Sequence, residues 1–156
     1  MSRVSYSNVV QVVPTLDTSA YASGDRLGSI QTIPFASRIE DGYGGLILHS
    51  IEILDQAKQS AAIDILFFNA SPTVASADNA AIDITDAEML AKFIGVVSIS
   101  ETYVALANSS VVSKTGISLI LEPAAGVNAI YAVPVIRAAA TYAAGSLKFH
   151  YGFLQD

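Results

Sequence analysis

The two histidines are the residues of this sequence with the clearest catalytic potential. A Ser-His-Asp arrangement needs a histidine within hydrogen-bond reach of an activated serine. The sequence contains only His49 and His150, and no Gly-x-Ser-x-Gly motif accompanies either of them. Both lie in segments that alternate like β-strands, so we interpret them as half-exposed strand residues. On neighbouring strands they could titrate together near neutral pH and make an assembly sensitive to pH.

Carboxylates cluster at a second place, between positions 78 and 88. The polar residues of this segment are Asp78, Asn79, Asp83, Asp86 and Glu88. Such clusters can hold a hard cation or carry out general acid and base catalysis. The spacing does not match an EF-hand loop, whose ligands alternate around an obligatory glycine. We predict a turn at Asp78 and Asn79 and a helix start at Asp86 and Glu88, with calcium binding as the alternative.

Other reactive groups are scarce. The sequence has no cysteine, which excludes disulfides, thiolate zinc sites and cysteine nucleophiles. Gly42, Gly44 and Gly45 lack the Lys-Ser/Thr pair of a phosphate-binding loop. Seven tyrosines could stack on sugars, but they are scattered and no tryptophan accompanies them. We therefore predict a protein that is not an enzyme and that needs neither a cofactor nor a metal.

Charge and hydrophobicity exclude further classes of protein. Hydrophobic residues make up 52% of the chain and charged residues 14%, against about 25% charged residues in a typical domain. No apolar run approaches the roughly 20 residues of a membrane-spanning helix, and the first residues lack a secretory signal pattern. We expect synthesis in the cytoplasm and no membrane partner. The net charge of −6 disfavours nucleic acid, and the composition favours a subunit that buries surface in an assembly.

Alternating apolar and polar residues predict one all-β domain over residues 1–156. Strands are predicted at residues 8–13, 29–35, 46–54, 62–68, 93–100, 116–122, 128–136 and 146–154. Pro34 confines the second of these to a sheet edge or marks its end. This number and spacing of strands favour an antiparallel, jelly-roll-like β-sandwich with one or two short helices.

Local signals refine this outline. The polar residues 55–60 predict a hairpin between the strands that flank them. In the strand at 46–54, the drier face holds Ile47, His49, Ile51 and Ile53, and we expect its isoleucines to point toward the core. Thr85 and Glu88 form a capping-box pattern, which predicts a helix over 86–92. Residues 101–107 are expected to form a second helical turn, and residues 108–114 a loop.

Four strings carry a further signal. They are YASGDRLG at 21–28, DQAKQSAAIDILFF at 55–68, DNAAIDITDAEMLAKFIGVVSI at 78–99 and LQD at 154–156. Together they resemble a family of small bacteriophage proteins encoded among virion structural genes. The resemblance runs from about residue 21 to the end of the sequence, and none of its motifs is chemical. It implies a decoration or cement protein on the outer capsid surface of the virion, bound to the major capsid protein and assembled as a homotrimer.

A cement protein works by burying surface across an interface, so we expect contacts from loops and from the first residues. Residues 1–7 are predicted to form an arm, and 21–28 a contact loop. The candidate interface residues are Ser2, Arg3, Tyr6, Tyr21, Asp25 and Arg26. A frayed terminus and an ordinary connection between strands are the alternatives for these segments. A head-to-tail connector or tail-associated structural protein, and a carbohydrate-binding host-attachment module, are the alternative functions.

Overall fold

The computed structural model describes residues 6–34 and 45–155, which form two packed β-sheets. The first sheet consists of β1 (Tyr6–Val12), β3 (Leu46–Asp55), β6 (Val104–Ala105), β7 (Ser110–Lys114), β8 (Leu119–Leu121) and β10 (Leu147–Gln155). The second sheet consists of β2 (Gln31–Pro34), β4 (Ile63–Phe68), β5 (Phe93–Ile99) and β9 (Ala129–Ile136). One helix, α1 (Asp86–Lys92), precedes β5. Among the described residues, no helix has the length and hydrophobicity needed to cross a membrane.

The strands pair as a nested set. β1 lies beside β10, β2 beside β9, β3 beside both β7 and β8, and β4 beside β5, always antiparallel. Successive parts of this long antiparallel ribbon alternate between the two sheets, which is the arrangement of a jelly roll. The predicted fold class, an antiparallel β-sandwich of jelly-roll type, is therefore confirmed.

The core lies between the two sheets and follows from the alternation along their strands. Phe67 of β4 meets Tyr151 of β10 edge to face, with ring centroids 6.0 Å apart. Both side chains are fully buried, and burial of a side chain of this size stabilises the fold by about 1.5–3 kcal/mol. The Tyr151 hydroxyl donates to the Gln31 side chain, which ties the two sheets together through a buried hydrogen bond.

The predicted hairpin at residues 55–60 is wrong. β3 pairs with strands of the first sheet and β4 with strands of the second, so the connection crosses between the sheets. Its turn is closed by the buried Asp55, whose carboxylate accepts from the amides of Ala57 at 2.9 Å and Ser60 at 2.8 Å. Lys58 and Ser60 have positive φ angles. Turn chemistry of this kind fixes the reversal of the chain but not the sheet that the next strand joins.

The predicted core face of β3 is correct for only half of the strand. Ile51 and Ile53 are buried, but in the first half Leu46 and Leu48 point inward and Ile47 points outward. An irregularity in the pairing with β10 lies between these halves, opposite Gly152 and Phe153. A β-bulge shifts the alternation by one residue, which moves every following side chain to the other face.

The predicted second helix at residues 101–107 is also wrong, as is the loop at 108–114. These residues contain β6 and β7, which extend the first sheet beyond β3. β7 has the sequence SVVSK, in which Ser110 and Val112 are buried. Serine is common in turns, so the serines at the ends of this segment suggest a loop in the sequence. Its conformation is determined by pairing with β3.

Candidate interaction surface

Asp78 is the centre of a hydrogen-bond cluster that joins two loops far apart in the sequence. Its Oδ1 accepts from the Tyr21 hydroxyl at 2.8 Å and from the Gly28 amide at 2.7 Å. Its Oδ2 accepts from the Asp17 amide at 2.7 Å. Burial, and to a smaller extent the hydrogen bond to Asp78, raises the pKa of Tyr21 above its usual range. The phenol therefore stays protonated and able to donate.

Gly28 lies against the segment that follows β1. Its φ angle is 78°, and a Cβ at this position would lie 2.9 Å from the Thr15 carbonyl oxygen. Only glycine meets both conditions without strain. The neighbouring Ser29 amide donates to the same carbonyl at 3.1 Å, which fixes the close approach.

The structure places the side chain of Tyr21, one of the predicted interface residues, inside the sandwich. The side chain is buried, and its ring meets that of Tyr142 edge to face at 6.1 Å. The sequence predicts Tyr21 as an interface residue of the loop at 21–28. In the structure its side chain holds this loop against the sandwich. Its hydroxyl is already engaged with Asp78 and with the Asp17 amide.

Asp25 and Arg26 are half-buried, and their polar groups bond within the chain. The Asp25 carboxylate accepts from the Ala22 amide at 2.7 Å. The Arg26 guanidinium donates to the carbonyl oxygens of Ser76 at 2.7 Å and Gly28 at 3.0 Å. These directional contacts therefore stabilise the loop itself, and the loop presents a rigid surface.

The predicted arm is only partly described. Ser2 and Arg3 lie outside the described residues. Tyr6 begins β1 and is paired with Gln155, and Ser7 is paired with Leu154, so positions 6 and 7 belong to the sandwich and not to an arm.

The acidic cluster has the structural roles predicted for it. Asp78 and Asn79 lie in a turn, with Asn79 at a φ angle of 59°. Thr85 caps α1 by accepting from the Glu88 amide at 3.2 Å. The Glu88 carboxylate completes no capping box, because it accepts from the Thr73 amide and from Lys92 instead, each at 2.8 Å. Among the residues that the structure describes, no group of three or more metal-ligating side chains comes together.

The two histidines do lie on neighbouring strands. His49 is in β3 and His150 in β10, and both strands belong to the first sheet. His150 is paired with Glu52, so the two imidazoles do not face each other directly. The structure therefore brings the two histidines to neighbouring strands of the same sheet but not to opposite positions.

The chain covers the middle of the outer face of the four-stranded sheet with its own residues, and leaves Val96 of β5 49% exposed. Three outward-facing side chains of this sheet are fully buried: Phe68, Val133 and Val135. None of them belongs to the core cluster between the sheets. The connection 69–85 is the segment positioned to cover them, because it bonds to Arg26 at one end of the sheet and to Lys92 at the other.

The outer face of the six-stranded sheet, called here the open face, carries exposed aliphatic residues instead. Leu154, Ile47 and Ile120 form one row across β10, β3 and β8, and Val9 of β1 lies next to this row. Their exposed fractions are 66% for Val9, 39% for Ile47, 69% for Ile120 and 40% for Leu154. Single exposed aliphatic residues are common, whereas a contiguous group marks a surface that binds something.

Sequence reasoning missed the open face because the bulge in β3 hides it. Strict alternation places Ile47 in the core, and only the interrupted pairing with β10 turns it outward. Ile120 lies in β8, a strand of three residues whose alternation is too short to show a face. The excess of apolar residues in the composition was the one signal that pointed to such a surface.

Comparison with known proteins gives matches among solved structures but none in sequence. No family model and no curated protein matches the sequence. Among solved structures, the chain is similar to a chain of "Israeli acute paralysis virus heated to 63 degree - full particle", with 11% sequence identity and a TM-score of 0.30. The match covers 97% of this chain and 70% of that chain. A TM-score of this size does not establish a common fold, so the function has to be inferred from the residues of the chain itself.

Proposed function

We propose that this chain is a structural protein of a bacteriophage particle. In this role it is a decoration or cement protein on the outer capsid surface, and it stabilises the shell by bridging major capsid subunits. The observation that carries the proposal is the open face, because its exposed aliphatic residues are suited to burial against a neighbouring subunit, as expected of a protein that works within an assembly and contacts the shell through other segments. The phage-like strings point the same way. Jelly rolls occur in capsid proteins but also in lectins, so the fold alone does not decide.

Stabilisation of this kind needs no reaction. A protein that binds the assembled shell but not the dissociated subunits shifts the equilibrium toward the shell by mass action. At a free concentration 100 times its dissociation constant, each bound copy contributes about 2.7 kcal/mol. Summed over many copies, such a contribution decides whether a filled shell withstands heat.

The polar groups that could do chemistry support a role that is not enzymatic. Asp78 and Glu88 use their carboxylates to fix loops and the helix, as described above. Tyr21, Tyr142 and Tyr151 are buried and so cannot form a platform for sugars, which weakens the carbohydrate-binding alternative. We assign the capsid contacts to the amino-terminal residues, including Ser2 and Arg3, and to the loop at 21–28, with copies arranged as a homotrimer.

The test uses particles that lack the protein. Shells without it should assemble, release their genome at a lower temperature than complete particles, and regain heat resistance when the purified chain is added back. The copy number per particle, measured against the major capsid protein, separates decoration from the connector alternative. Decoration requires a number in proportion to the capsid subunits, whereas a connector requires one ring. Equal heat resistance with and without the protein would refute the cement function.

A further inference from the structure

We infer that the open face is a two-fold contact surface whose occupant is a second copy of this chain. On the outer face of the other sheet Phe68, Val133 and Val135 are fully buried, whereas on the open face Val9, Ile47, Ile120 and Leu154 are all exposed. This inference names the partner of the open face and does not require the capsid role. A contact between copies could be found for a protein that leaves capsid stability unchanged.

The pairing of β10 with β3 makes the open face complementary to itself. On this face Leu154 is paired with Ile47, Gly152 with Ser50, and His150 with Glu52. A two-fold axis parallel to these strands and midway between them places each residue opposite its own cross-strand partner in the other copy. Aliphatic residues then meet aliphatic residues, and Gly152 meets Ser50.

The charges on the open face are compatible with a second copy of this chain as its partner. The chain has a net charge of −6, so most pairings of its surfaces bring like charges together. On the open face, however, Glu52 and Lys148 have opposite signs and lie on the two strands that flank the proposed axis. Two copies can therefore approach through this face without net repulsion.

The dimensions of the face also fit a stable contact. It is four strands wide across β1, β10, β3 and β8, and β3 is ten residues long. With strands about 4.8 Å apart and a rise of about 3.3 Å per residue, the 29 residues of these four strands project to roughly 460 Å², more than half of the ~800 Å² per partner of a standard interface. No side chain projects from the middle of the face at Gly152, and the Ser50 hydroxyl occupies the space that a Cβ would take there.

The first experiment measures mass in solution by sedimentation equilibrium, with no capsid present. Ile47→Asp places a carboxylate opposite Leu154 of the second copy and should weaken the contact by at least about 100-fold. The wild-type mass should then be twice that of the variant, whether the unit that remains is a monomer or a trimer. The matched control is Leu90→Asp, because Leu90 is 89% exposed on α1 and lies off the open face, so its mass should equal that of the wild type.

A second experiment covers the case in which Ile47→Asp fails to fold. The chain has no cysteine, so Ser50→Cys introduces a single thiol near the proposed axis. A bismaleimide with a spacer of about 8 Å should link two copies, since packed sheets lie about 10 Å apart. Leu90→Cys should not be linked at the same concentration. Equal masses of wild type and folded Ile47→Asp, or linking of Leu90→Cys as efficient as that of Ser50→Cys, would overturn the two-fold contact.

Discussion

Replacing Asp78 tests whether its carboxylate holds the two loops on the sandwich. Asp78→Ala removes the acceptor of three hydrogen bonds, from the Tyr21 hydroxyl and from the amides of Gly28 and Asp17. Hydrogen bonds to charged groups contribute about 1.5–3 kcal/mol each, and Asp78 is only half-buried, so we take about 1–1.5 kcal/mol for each bond. The free energy of unfolding should therefore fall by about 3–4.5 kcal/mol.

Urea unfolding measures this loss. With a slope of about 2 kcal/mol per molar urea, the midpoint of Asp78→Ala should fall by about 2 M. Asp78→Asn keeps one carbonyl acceptor and should lose about half as much. Asp83→Ala is the matched control, because Asp83 is exposed in the same connection, and it should change stability by less than about 0.5 kcal/mol. A loss below about 1 kcal/mol for Asp78→Ala would show that the cluster does not hold these loops.

Three further predictions concern single groups. Gly28→Ala should destabilise the fold by about 1–3 kcal/mol in urea unfolding, because of its positive φ and the close carbonyl, and an unchanged midpoint would contradict this. Tyr142→Phe should be neutral or stabilising, since the buried Tyr142 hydroxyl has no partner among the described residues, whereas Tyr151→Phe should cost about 1–2 kcal/mol; equal effects would refute the contrast. The hydrogen bond from Lys92 lowers the pKa of Glu88, so its stabilisation is complete above the unfolded pKa of about 4.3 and is lost as pH falls through the lowered folded value. Below about pH 4.5 the urea midpoint of the wild-type protein should decrease as the pH falls, and it should decrease less steeply in Glu88→Gln. Identical pH profiles for the two proteins would show that the Glu88–Lys92 pair does not contribute.

The main strands could be predicted because their alternation reflects burial between two sheets. β4 and β10 show this most clearly, since their inward residues Phe67 and Tyr151 meet in the core. The partner of each strand was not predictable from local patterns. Asp55 closes a turn in the same way whether the next strand joins the same sheet or the opposite one.

The interaction surface was less predictable than the fold, for two physical reasons. Tyr21 and Arg26 were chosen for their polar groups, and these groups are engaged by partners more than 45 residues away in the sequence. Ile47 points outward although strict alternation predicts it in the core, because a bulge shifts the alternation and leaves no mark in the local sequence. What local reasoning did predict was Thr85 as a helix cap, which depends only on residues three positions apart.

Heat resistance of particles is the most direct test of the cement function. Genome release, followed with a nucleic-acid dye on heating, should occur at a lower temperature in particles that lack the chain. Addition of purified wild-type protein should restore the temperature of complete particles, and a chain that lacks residues 1–5 should restore it less. Release at the same temperature with and without the chain, in particles shown to bind it, would contradict the cement function.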